Sequence, residues 1–238
     1  MINSVMFSFN IYAGKCTSFE DLQKLSSLCR ERGVIMHMDG ARLWEASAAY
    51  GCPLTDLCAL FDSIYVSFYK GLGGLSGAML MGTTDFISEA RIWSRRFGGN
   101  LYTQMPNAVS SWAGYKNNVN EFGRRLSRLQ EVVALVSQEV DVMYPGLIRF
   151  DPPVPEVSLV HVYINTSSSS NNDESEDGGV ATAMRVKEEA AQECSVSCFT
   201  RLRPSRNGGG EVYTEFNMVS TNDTPYTMSH AMHFELIM

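Results

Sequence analysis

The chain has 238 residues, 45% of them hydrophobic and 19% charged, with a formal net charge of −7. That length accommodates one large domain, or a medium domain with a smaller appendage, around a sizeable core. The acidic balance repels phosphate backbones and anionic bilayers, so broad binding of nucleic acid or membrane surface is not expected, and no run nears the ~18 apolar residues of a bilayer span.

Taken in chain order, Val5 to Phe9 reads as a short buried strand. Thr17-Ser-Phe-Glu20 has the form of a capping box opening a helix, with Leu22, Leu25, Leu28 and Cys29 at helical spacing and Gly33 as its stop. Further strands are expected at Val34 to Met38, Asp62 to Phe68 and Gly77 to Gly82, and helices at Ala41 to Tyr50 and Thr84 to about Arg96. Apolar strands separated by helices predict an α/β fold, with a mostly parallel sheet covered on both faces. One long helical stretch is expected from about Pro106 to about Val140, with Leu126, Leu129, Val132, Val133 and Val136 as its apolar stripe, ended at Tyr144-Pro145-Gly146. Strand-like runs follow at Val157 to Ile164, Val196 to Thr200 and Val212 to Val219, with a helical piece around Val180 to Glu193. This second part reads as a smaller α+β domain, which places the division at residues 1–115 and 116–238. The polar, acidic segment 166–179 is too poor in apolar residues to order itself and is expected to be a disordered insertion.

The six cysteines show no paired CxxC spacing. Reduced thiols and a cytoplasmic location are expected, and the opening residues lack the basic-then-apolar pattern of a signal peptide.

Two strands end in residues that carry chemistry. One ends in His37-Met-Asp39-Gly-Ala-Arg42 and a later one in Ser67-Phe-Tyr-Lys70-Gly-Leu-Gly-Gly74; Arg95-Arg-Phe-Gly-Gly99 follows a helix. Sites in open α/β sheets form at the carboxyl ends of strands. A lysine and a carboxylate there match what pyridoxal phosphate (PLP) requires: an amine for the Schiff base and an acid facing the pyridine nitrogen. The glycine cluster is not a phosphate-binding P-loop, because the lysine precedes it. His230 and His233, without further ligands nearby, do not make a metal site.

The strings HMDGARLWEA, DSIYVSFYKGLGGLSGAMLMG and FISEARIWSRRFGG resemble the threonine aldolase / β-eliminating lyase family of fold-type I PLP enzymes in order, spacing and flanking strands. The resemblance implies a PLP-dependent lyase that cleaves a β-hydroxy amino acid of the threonine kind to glycine and an aldehyde; β-elimination and racemisation start alike and stay open. It makes Lys70 the Schiff-base lysine and Asp39 the partner of the pyridine nitrogen. Arg42 falls near the phenolic oxygen and substrate carboxylate, Ser67 near the phosphate, and His37 at a family position, which counts it among the cofactor-binding residues. A small-domain arginine that holds the substrate carboxylate is placed at Arg201, with Arg203 beside it; a guanidinium binds that group bidentately. Tyr69 before the lysine, and Asn100-Leu-Tyr-Thr103 after the double glycine, depart from the common pattern and suggest a divergent branch. Family members also carry a long preceding segment that cradles the phosphate and stacks on the ring. The chain therefore reads as an N-terminally truncated relative, expected to form homo-oligomers. The alternative is a non-catalytic homologue acting as a structural or regulatory partner.

Overall fold

Three short runs rich in β-branched and large apolar residues form the parallel part of a first sheet: β1 (Ser4–Ser8), β2 (Ile35–Asp39) and β3 (Ser63–Ser67). Strand β4 (Ala78–Met81) pairs antiparallel with β3, giving the order β1-β2-β3-β4. The computed structural model describes residues 4–8, 14–165, 183–185, 187–188, 202–205 and 211–218. Register fixes two faces, because side chains alternate along a strand. Met38 lies beside Ile64, and Ile64 beside Met81; His37 lies beside Ser63 and Asp39 beside Tyr65.

Parallel neighbours require crossovers, supplied by α1 (Phe19–Glu31) between β1 and β2, and by α2 (Leu43–Tyr50) and α3 (Leu54–Cys58) between β2 and β3. The cap of α1 is Ser18 rather than Thr17: its hydroxyl accepts the Asp21 N–H at 3.1 Å, so the expected pairing with Glu20 shifts by one residue. Helix α3 was not expected; Pro53, extended at φ −58° and ψ 146°, starts it. Leu22, Met36, Met38, Leu43, Leu57, Val66 and Leu72 are each 2% exposed or less and form the core on one face of the sheet. Each such side chain contributes roughly 1.5–3 kcal/mol of burial.

After α4 (Thr84–Arg96), capped by Thr83, the expected single helix is two: α5 (Met105–Asn118) and α6 (Phe122–Met143). At the end of α5 the side-chain amide of Asn118 donates to the carbonyls of Gly114 and Leu72, each at 3.1 Å.

The chain divides into two compact units, Met1–Tyr12 with Cys16–Gly123, and Ala13–Lys15 with Arg124–Met238. In the second, β5 (Ile148–Asp151), β6 (Leu159–Asn165), β7 (Arg203–Pro204) and β8 (Glu211–Asn217) form an antiparallel sheet in the order β5-β6-β8-β7. Strand β5 was not expected. Leu129 and Val133 of α6 pack with Phe150, Val160 and Val162. The rows Arg149–Tyr163–Tyr213–Arg203 and Asp151–His161–Glu215 run across the strands. Residues 183–185 and 187–188 are helical. The expected strand Val196 to Thr200 and the segment 166–179 lie outside the described residues.

Candidate active site

Asp39 is the last residue of β2, and the backbone beyond it is locked to β3. The Gly40 N–H donates to the Tyr65 carbonyl at 2.7 Å. A Cβ at Gly40 would stand 2.5 Å from that same oxygen, so no side chain fits. The Asp39 carboxylate is half-buried and accepts the Ala41 N–H at 3.2 Å.

Strand β3 ends at Ser67, and a closed loop carries Lys70 three residues further on. The Phe68 N–H reaches the Gly77 carbonyl at 2.9 Å and the Gly74 N–H reaches the Phe68 carbonyl at 2.7 Å. Within the loop the Gly73 N–H bonds the Lys70 carbonyl at 2.8 Å. Gly73 holds φ at +71°, a left-handed geometry that favours glycine. Lys70 is half-buried. Asp39 and the Lys70 loop thus follow the carboxyl ends of neighbouring parallel strands, which lie about 4.8 Å apart.

Arg42 is 7% exposed and forms an ion pair with Glu45, itself 3% exposed, at 3.3 Å between Nη1 and Oε1. Sequence reasoning gave Glu45 no role, since nothing in an isolated helical Glu signals burial. His37 is on the Asp39 side of β2, and its Nδ1 lies 2.8 Å from the Ser63 hydroxyl. Ser67 is 1% exposed, and its hydroxyl is shielded from solvent without a hydrogen-bond partner among the described residues.

Tyr65 and Tyr69 join at the same edge, their hydroxyls 3.2 Å apart. Burial, the bond to Tyr69 and the nearby Asp39 carboxylate push the Tyr65 phenol above its usual range. The signal for this pair was present in the sequence, since Tyr69 was the departure noted beside the lysine.

Arg95 and Arg96 close α4 on an exposed surface, with Arg96 over the Trp93 ring at 4.7 Å. Arg201, His230 and His233 lie outside the described residues. Arg203 belongs to the second unit, where its Nη1 stands 3.8 Å from Glu215. Among the described residues no group of His, Cys, Asp and Glu could hold a metal ion.

An acid at the end of β2 and a lysine in the loop after β3, on a mixed α/β sheet with a small α+β unit in the same chain, are the features set beside known proteins. The chain belongs to the beta-eliminating lyase family, whose model matches residues 4–188. It is 30% identical over 163 residues to a low-specificity L-threonine aldolase of Candida albicans, an alignment covering 68% of this chain and 41% of that protein. It is 35% identical over 122 residues to a low-specificity L-threonine aldolase of Escherichia coli K12, covering 51% and 34%. A crystal structure from Listeria monocytogenes EGD-E, provisionally described as an L-allo-threonine aldolase, superposes with a TM-score of 0.75 at 30% identity, over 90% of this chain and 55% of that one. The chain thus spans between about one-third and just over half the length of these relatives.

Proposed function

We propose that this chain provides the lysine-bearing part of a PLP-dependent lyase acting on a β-hydroxy amino acid of the threonine kind, with glycine and an aldehyde as products. The observation that supports the reading is that Asp39 ends β2 and the Lys70 loop follows the end of the neighbouring β3, the two strands being joined by the Gly40–Tyr65 bond. The donor set fits the cofactor: an amine, a carboxylate on the adjoining strand and a guanidinium close behind. When bound, PLP supplies an electron sink for the pair released as the substrate's Cα–Cβ bond breaks.

The residues divide the work. The Lys70 amine would hold the cofactor covalently. Asp39 holds a proton on the pyridine nitrogen. Arg42 presents N–H groups to the phenolic oxygen and the substrate carboxylate. Ser67, whose hydroxyl no other described group engages, is assigned to the phosphate; the shielding of that hydroxyl means the assignment requires movement at the strand end. His37, bonded to Ser63, braces the two strands. Arg201 is assigned to the substrate carboxylate from its place in the sequence alone.

The first unit corresponds in this reading to the C-terminal part of the cofactor-binding large domain, and the second to the small domain. Exposed Phe97, Leu101, Met105, Val109 and Trp112 support a homo-oligomer. Free Cys29, Cys52 and Cys58 support a cytoplasmic location. Among the described residues no helix is long and apolar enough to cross a membrane.

The test is borohydride trapping. Purified chain mixed with PLP, reduced and digested should yield a pyridoxyl peptide containing Lys70, absent from Lys70→Ala, and the unreduced protein should release aldehyde from threonine. An adduct that persists in Lys70→Ala sinks the assignment. No adduct and no aldehyde would favour the non-catalytic partner.

A further inference from the structure

A buried carboxylate with a single hydrogen-bonded oxygen sits between the two halves of the candidate site. Glu45 Oε1 receives Arg42 Nη1 at 3.3 Å, while Glu45 Oε2 is shielded from solvent and has no hydrogen-bond partner among the described residues. The same Oε1 lies against Gly71, the residue after Lys70: a Cβ there would stand 2.5 Å from this oxygen and 2.7 Å from the Phe122 ring. One oxygen atom therefore touches both the Arg42 guanidinium and the Lys70 turn. Removing a carboxylate from water is costly unless its partners are held in good geometry. Glu45 is thus committed to this place, and glycine at position 71 is the residue that makes room for it. Arg42 has further guanidinium N–H groups beyond the one on Glu45, and a guanidinium held from one side offers its remaining donors in a fixed fork.

We infer that Glu45 is a positioning residue: it pins Arg42 against the Lys70 turn and thereby sets the Arg42 fork as an anion hook beside the lysine. The inference rests on the reading of Lys70 and Arg42 as cofactor-binding residues, yet the clamp itself has a readout that needs no cofactor.

The test uses the full chain and Glu45→Gln, which keeps the shape and removes the charge. Phenylglyoxal modification of Arg42, followed by peptide mass, should be slow in the parent chain. It should be about tenfold faster in Glu45→Gln, the ratio expected when one charge-assisted hydrogen bond to the guanidinium is lost. If Glu45→Gln does not fold by circular dichroism, Glu45→Asp takes its place, with a smaller rise in the same direction. In the second arm, half-maximal borohydride trapping at Lys70 should need about tenfold more PLP in the variant, with Lys70 still the residue modified. Equal Arg42 labelling in parent and variant overturns the clamp, whatever happens to thermal stability. Faster labelling with unchanged trapping overturns the link to the cofactor. If the parent chain traps no PLP, the functional reading fails, and the labelling arm alone decides whether Glu45 holds Arg42.

Discussion

The two faces of the first sheet are built from the same strands and do opposite jobs. On one face Met36, Met38, Ile64 and Val66 are buried against α1, α2 and α3. On the other, one residue along the same strands, stand His37, Asp39, Ser63 and Tyr65, beside Met6 at 72% exposure and Ile35 at 54%. The alternation of a strand thus separates the core from the proposed site at the scale of a single residue. The covered face sets how far apart the strand ends stand, and the open face uses that spacing.

Ways to break this division run from large to small. Met38→Ala empties the covered face and should cost about 2–5 kcal/mol of unfolding free energy, read by urea denaturation. A cost near zero would mean that the core lies elsewhere. His37→Ala removes the bond to Ser63 across β2 and β3 and should cost about 1 kcal/mol in the same assay. Met6→Ser, on the open side of β1, should change stability by no more than about 0.5 kcal/mol. A large loss that depends on protein concentration would show that a second copy covers this face. The smallest effect concerns Tyr65. Its phenol titrates higher in the folded chain than in the unfolded one. The folded state therefore holds that proton after the unfolded state has released it. Stability from this source is complete below about pH 10 and declines as pH rises above it, because the unfolded state binds fewer protons there. Tyr65→Phe should flatten the alkaline decline in melting temperature, and an unchanged profile would remove Tyr65 as its cause.

Much of the first unit was legible in the sequence because its strands are short, apolar and bounded by Gly and Asp. The acid and amine of the proposed site were singled out from a motif whose order and spacing are hard to meet by chance. What stayed hidden has physical reasons. Thr17 and Ser18 each precede an acid by three residues, so the cap was ambiguous until the Ser18 hydroxyl was seen on the Asp21 N–H. The break between α5 and α6 contains no proline, and the residue before it, Asn118, ties the end of α5 to the Leu72 carbonyl, far away in sequence. The asparagines at 117, 118 and 120 were the available hint. Glu45 was invisible because a charged residue on a helix is ordinarily solvated; only the tertiary arrangement shows it buried against Gly71.

The Gly40–Tyr65 contact gives the motif glycine a metric meaning. With a hydrogen at position 40, the two strand tips close to backbone-to-backbone distance. A methyl group in its place would act as a wedge, spreading β2 from β3 at the point where the proposed function has an acid and an amine meet one ring. Gly40 is in that sense a gauge block, and the width it sets is inherited by whatever binds between the two tips.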